Sequence, residues 1–263
     1  MPLPSETALR EAGLAAELAG PVLTITLDKP DRRNSQTPRL WHTLAAIGAG
    51  LPDDVRVVVL RGAGESFSAG IDLQLLSPEG VEGGESVADL MHAGDEAILD
   101  AIDGYQRGFV WLSDPRIVSV AAVHGYAIGA GFQLALACDL RVVADDVKFC
   151  MKEPALGLVP DLAGTKPLVE LVGYSRALEI CATARYVEVD EAQHLGIATA
   201  AVSRDALDAT VADLVEAVLA SNTGAVRETK SLLKGVDGRD LEEQRLAERQ
   251  AQLRRFRDLV GGA

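Results

Sequence analysis

The sequence predicts an α/β fold in a single domain. Three observations carry that expectation. Short β-branched runs alternate with apolar segments at helical spacing over the first two-thirds of the chain, the pattern of helices packed on a sheet. The final third is helix upon helix. No Pro/Ser-rich linker, low-complexity tract or fixed-period repeat interrupts the chain. Residues 1–200 are therefore read as the core, and residues 201–263 as a C-terminal helical region of the same domain.

The elements follow in order. Residues 22–27 (VLTITL) are short and β-branched, hence a strand. DKPDRRN at 28–34 is a turn, with Pro30 and Asn34 as breakers. A helix is expected over 38–47 and a buried strand over 56–60 (RVVVL), closed by Gly62 and Gly64. The acidic, Gly-rich run 78–85 reads as mobile. Residues 91–112 carry apolar side chains at helical spacing, 117–123 form a buried strand ended by Gly125, and 130–137 a short apolar helix. Residues 140–144 and 147–151 read as short strands. Helices are expected over 168–172, 176–184 and 190–194, an extended piece over 198–202, and helices again from about 205 to 259.

Composition narrows the function. The chain has 263 residues, 48% hydrophobic and 24% charged, as in ordinary globular proteins. Its net charge of -14 argues against nucleic acid or an anionic membrane as partner, since both need a basic surface. No run is long and apolar enough to span a bilayer. The N-terminus lacks the basic-then-apolar order of a signal peptide. Cys138, Cys150 and Cys181 are odd in number and lie in apolar segments, which reads as buried thiols in a reducing cytoplasm. His42, His92, His124 and His194 show no metal-ligand spacing, so no metal site is expected.

Two glycine-bearing turns follow two of the buried strands: FSAGIDL at 67–73 and VHGYAIGAGFQ at 123–133. Small residues there let backbone approach a ligand closely. The second turn opens into a helix, whose first N–H groups are free and sit at the positive dipole end. One N–H from each turn could hold an oxyanion, which suits thioester chemistry. Such turns also occur as plain tight turns.

VAAVHGYAIGAGFQLALACDL at 120–140 resembles the signature of the enoyl-CoA hydratase/isomerase (crotonase) superfamily along its whole length. FSAGIDL resembles that family's other characteristic loop, DRRNS at 31–35 its coenzyme A loop, and EPALGLVPDLAGT at 153–165 the segment carrying its acid/base. Residues 171–195 and 225–233 also look like family segments, so the resemblance covers roughly 22–233.

The resemblance implies a spiral of ββα units with a C-terminal helical trimerisation region, assembled as a homotrimer or dimer of trimers. It implies an acyl-CoA substrate, of which coenzyme A is a part, and no separate cofactor. The oxyanion hole would be the backbone N–H groups of Ile71 and Ala130. Arg33, Ser35, Ala69, Asp72, Leu73 and Gly129 would line the substrate and its coenzyme A, while His124 supports the loop.

The family's hydratases use two glutamates, whose positions here hold Gln133 and Glu153. Gln133 could position a water but cannot exchange a proton. Family isomerases keep a glutamate at the Glu153 position alone. Asp161 is a second candidate, because dienoyl-CoA isomerases have both carboxyl groups; otherwise it reads as a helix N-cap. Glu153 otherwise reads as a surface carboxylate at a strand end. A base here needs a raised pKa, which walls such as Ile71, Phe132, Leu156 and Leu158 would supply by desolvation. The expected activity is double-bond isomerisation, with hydration or non-catalytic acyl-CoA binding as alternatives. The charged helix at 241–259, followed by Gly-Gly-Ala, departs from the family's longer tail and reads as a trimer contact or a solvated face.

Overall fold

A computed structural model describes residues 2–77, 90 and 92–261. The run read as mobile, 78–85, lies outside the described residues, as does Met91.

Among the described residues, nine strands form two sheets. β1 (Leu14–Ala19), β2 (Val22–Leu27), β3 (Val57–Gly62), β4 (Val118–Val123), β6 (Leu140–Ala144) and β9 (Ala200–Val202) make the large sheet, in that spatial order. Only the β1–β2 hairpin is antiparallel within it. β5 (Tyr126–Ile128), β7 (Lys148–Cys150) and β8 (Val187–Glu188) make the small sheet. Single parallel bridges join Gln36 to Ile71 and Ser68 to Ala127. Residues 36, 68–71, 126–128 and 148–150 thus form a second row of extended chain. Each turn of the chain lays one strand in the large sheet, one extended piece in this row, and then a helix. That is a spiral of ββα units.

The apolar strands lack polar alternation because both sheet faces are buried, as in parallel sheets covered on two sides. Val58, Leu60, Ala121, Val123 and Val143 face the main core. Their neighbours Val57, Val59, Val120, Ala122 and Val142 face a second core with Leu207 and Val211. The first helices are α1 (Glu6–Ala12), α2 (Pro38–Ala49), α3 (Asp95–Val110) and α4 (Ala130–Ala137). Next come α5 (Thr165–Val172), α6 (Tyr174–Thr183) and α7 (Val189–His194), then α8 (Leu207–Ala220), α9 (Thr223–Lys234) and α10 (Leu241–Gly261). α8 covers the second core. Arg56 clasps its C-terminal end by donating to the carbonyls of Leu219 (2.9 Å), Val218 (3.2 Å) and Ser221 (2.7 Å).

Four elements escaped the sequence reading: α1, β1, β5 and β8. The last two are three and two residues long, too short to show a period. α10 has Ala251 as its buried residue, and its Arg254 pairs with Glu228 of α9 at 2.7 Å. Among the described residues no helix is long and apolar enough to cross a membrane.

Candidate active site

The second row of extended chain ends, unit by unit, at one cavity of about 410 Å³. Gly70 and Ile71 reach it from the unit beginning with β3, Gly129 and Ala130 from the unit beginning with β4, and Glu153 and Asp161 from the unit beginning with β6. The two glycine turns touch. A Cβ on Gly70 would lie 2.4 Å from the Ile128 carbonyl oxygen and 3.5 Å from the Ala130 nitrogen. Gly70 has φ +86 and Gly129 has φ +51, so glycine is needed at both for conformation as well as space. Gly129 donates to the Cys150 carbonyl at 2.8 Å, and Ala130 then opens α4. The N–H groups of Ile71 and Ala130 have no acceptor among the described residues. Both residues line the cavity.

A buried polar network holds the Ile71 turn. The Ser68 hydroxyl donates to the Asn34 carbonyl (2.7 Å) and accepts from the Gly70 N–H (3.2 Å) and the Gln36 amide (3.0 Å). Gln36 in turn accepts from the Trp41 indole at 2.8 Å. The Asn34 amide donates to the Ala63 and Ser66 carbonyls at 2.9 and 2.8 Å. Part of the DRRNS segment is therefore internal scaffolding.

Ser35 is buried and donates to Asp72 at 3.1 Å; Asp72 also pairs with Arg32 at 3.4 Å and caps the Gln74 N–H at 3.1 Å. Arg33 is exposed, in a left-handed turn with φ 48, its guanidinium 6.0 Å from the Tyr126 ring centre. Ala69 and Leu73 line the cavity. His124 sits as expected of a loop support: its Nε2 is 3.1 Å from the Gly64 carbonyl oxygen, and burial lowers its pKa to about 4.

Glu153 is not a surface carboxylate. It is 8% exposed, and burial pushes its carboxyl above the ordinary value. The nearby Asp161 charge pushes the same way, opposed by a hydrogen bond from Gln133. That bond runs from Gln133 Nε2 to Glu153 Oε1 at 2.6 Å. Glu153 Oε2 is buried and has no hydrogen-bond partner among the described residues.

Asp161 also lines the cavity, half-buried, with its carboxyl likewise pushed up by desolvation. It is not the N-cap of the helix that follows: α5 starts at Thr165, behind Gly164. Its carbonyl accepts from the Gln106 amide at 2.7 Å, which anchors this turn to α3.

Two expectations need correction. Gln133 is fully buried, and the cavity lining does not include it. Its Oε1 accepts from the backbone N–H groups of Leu162 (2.9 Å) and Gly164 (3.2 Å), so most of its hydrogen-bonding capacity is spent inside the protein. Phe132 is not a wall: it points into the core and stacks on Phe149, ring centres 4.8 Å apart. Ile71, Leu156 and Leu158 are walls, as expected. The walls missed by sequence are Trp41 of α2 and Tyr105 of α3, with ring centres 5.1 Å apart. Their place on the apolar stripes of two helices was the available signal; that these stripes meet over the glycine turns was not.

Residues 17–259 match the enoyl-CoA hydratase/isomerase family. The chain belongs to that family. It is 33% identical over 227 residues to the carnitinyl-CoA dehydratase of Citrobacter koseri, covering 85% of this chain and 81% of that protein. It is 34% identical over 181 residues to the peroxisomal Delta(3,5)-Delta(2,4)-dienoyl-CoA isomerase of Arabidopsis thaliana, covering 68% and 64%. A Thermobifida fusca YX protein, provisionally named an enoyl-CoA hydratase and solved in complex with CoA, superposes with TM-score 0.94 at 48% identity, over 98% of both chains. The same protein with acetoacetyl-CoA gives TM-score 0.94 over 97% of this chain and 99% of that one. The chain is thus an enzyme of the crotonase superfamily with the spiral fold of its relatives.

Proposed function

We propose that this enzyme is a double-bond isomerase of enoyl-CoA thioesters, with Glu153 as the group that removes and returns the proton. The observation that carries this reading is Glu153, among the described residues the one buried carboxyl with an unpartnered oxygen, in an apolar cavity lined by Ile71 and Ala130, whose N–H groups have no acceptor among those residues. The T. fusca complexes with CoA and acetoacetyl-CoA support a coenzyme A thioester as substrate.

In this reading the thioester oxygen lies between the Ile71 and Ala130 N–H groups. Glu153 takes a proton from the carbon next to the thioester carbonyl. The electron pair moves into the carbonyl, and the resulting dienolate oxygen is held by the two donors. Each such donor lowers the barrier by about 3–4 kcal/mol. The now-protonated Glu153 returns the proton at the far carbon of the dienolate, and the double bond ends conjugated with the thioester. No electron is gained or lost, and no cofactor is required. A raised carboxyl pKa suits a group that must both take and give a proton near neutral pH.

Asp161 supports an extended version, in which one carboxyl removes the proton and the other delivers it further along the acyl chain. Both carboxyl groups line the one cavity, and each is shifted by burial. Hydration is disfavoured by the state of Gln133, which retains a single uncommitted N–H for a water.

The test is turnover of a 3-enoyl-CoA and a 2-enoyl-CoA, followed by the ultraviolet change on conjugation, beside Glu153→Gln and Asp161→Asn. Conjugation of the 3-enoyl substrate that Glu153→Gln abolishes supports the isomerase. Reaction of the 2-enoyl substrate alone supports hydration. Acyl-CoA binding without turnover across chain lengths supports a non-catalytic binder.

A further inference from the structure

We propose that Gln133 is a positioning residue whose amide joins Glu153 and the Asp161-bearing turn into one unit and reserves Oε2 of Glu153 for proton transfer. The inference rests on the reading of Glu153 as the acid/base. Three hydrogen bonds converge on this one fully buried side chain: two accepted from Leu162 and Gly164 N–H, and one donated to Glu153 Oε1 at 2.6 Å.

Their directions leave no freedom. Two backbone donors require the amide oxygen on the 162–164 side, so the NH₂ group must face Glu153. Oε1 is thereby committed, and Oε2 is left with no hydrogen-bond partner among the described residues. The contact is tight: a Cβ on Gly164 would lie 2.6 Å from the Gln133 side chain, and a Cβ on Gly129 would lie 3.2 Å from Glu153 Oε1. Two glycines, one on each side, leave room for the pair.

A neutral amide also suits the chemistry. A glutamate at 133 could still accept from Leu162 and Gly164, but its second oxygen would face Glu153 across a hydrogen-bond distance. Two carboxylates that close share a proton, and one of them titrates far higher. Glutamine lets Glu153 ionise without a second like charge in addition to Asp161. The other titratable groups near Glu153 are Asp161 in the cavity wall, Lys152 beside it in sequence, and the thiols of Cys150 and Cys181, whose pKa values are raised by burial first and by the Glu153 charge in addition.

The experiment compares kcat, KM and pH profiles of the parent with Gln133→Met, Gln133→Glu and Glu153→Gln, on the substrate that turns over. Gln133→Met should lower kcat roughly tenfold or more with KM little changed, as expected when a transition-state alignment is lost. Gln133→Glu should move the acidic limb of kcat/KM, where Glu153 ionises, to higher pH. A Glu153 carboxyl band, assigned in infrared difference spectra by its loss in Glu153→Gln, should titrate higher in Gln133→Glu whether or not substrate is present. If Glu153→Gln abolishes turnover while Gln133→Met keeps the parent kcat and profile, the positioning role is overturned and the acid/base reading survives. If Glu153→Gln retains turnover, the acid/base reading itself falls. Should Gln133→Met not fold, Gln133→Glu keeps the two accepted bonds, and an unmoved Glu153 band overturns the proposal alone.

Discussion

At the scale of single residues, the site turns on a carboxyl group held against its solvation preference. Burial favours the neutral form of Glu153, so the folded state keeps the proton to a higher pH than the unfolded chain, whose ordinary value is 4.5. Between those two values the folded state binds more protons, and stability falls as pH rises through that interval. Glu153→Gln removes this titration. It should abolish turnover by a factor of about 10²–10⁴, yet melt at or above the parent temperature at pH 7, an advantage that disappears below about pH 4. Melting curves at the two pH values check the sign.

Gly129→Ala meets both a left-handed backbone and the Glu153 carboxyl 3.2 Å from the new methyl. Its strain should be about 1–2 kcal/mol, and its kcat should fall at least tenfold because the methyl displaces Glu153. A kcat loss well beyond what the melting shift explains would be the sign of displacement. The residue types at 71, 129, 130, 133, 153 and 161 were all legible in the sequence. Which of them face the cavity was not, and Gln133 and Phe132 show why. An apolar or amide side chain next to a motif is sent to the site or the core by its three-dimensional neighbours.

At the scale of elements, agreement was closest where a strong local pattern met a clear stop. β2, α4 and β6 have the bounds expected from their β-branched or apolar runs and the residues that end them. α1 carried legible caps, Ser5 before it and Gly13 after it in a left-handed conformation, but its seven residues make too short a period to stand out. One contact between elements was illegible. Lys230 of α9 is buried, and its Nζ donates to the carbonyls of Asp114 and Ile117, both at 2.8 Å, and to Asp139 Oδ2 at 2.6 Å. Asp139 in turn accepts from the Ser119 N–H at 2.8 Å, at the start of β4. The lysine thus ties the helical region to the strand that leads to the second glycine turn. Lys230→Met leaves the Asp139 carboxylate without its cation and should cost about 3 kcal/mol, read as a lower urea midpoint with an unchanged slope.

At the scale of the whole molecule, a single copy of the chain leaves large apolar side chains in solvent: Val159 is 72% exposed, Tyr174 70% and Leu233 69%. A net charge of -14 keeps such a chain dispersed, but it does not cover apolar surface. Self-association into a trimer or dimer of trimers would cover it, and sedimentation equilibrium should return the mass of three or six chains. A monomer at micromolar concentration would overturn that expectation.

The sequence by itself determined the alternation of strand and helix, the helical last third, the two glycine turns and the residue types at the site, because these are properties of period, turn chemistry and local motif. Only the tertiary structure decided that the turns touch, that Trp41 meets Tyr105, and that the Gln133 amide is spent on N–H groups 29 and 31 residues away. The physical reason is that burial and hydrogen-bond satisfaction belong to whichever groups the fold brings together, and those groups are distant along the chain.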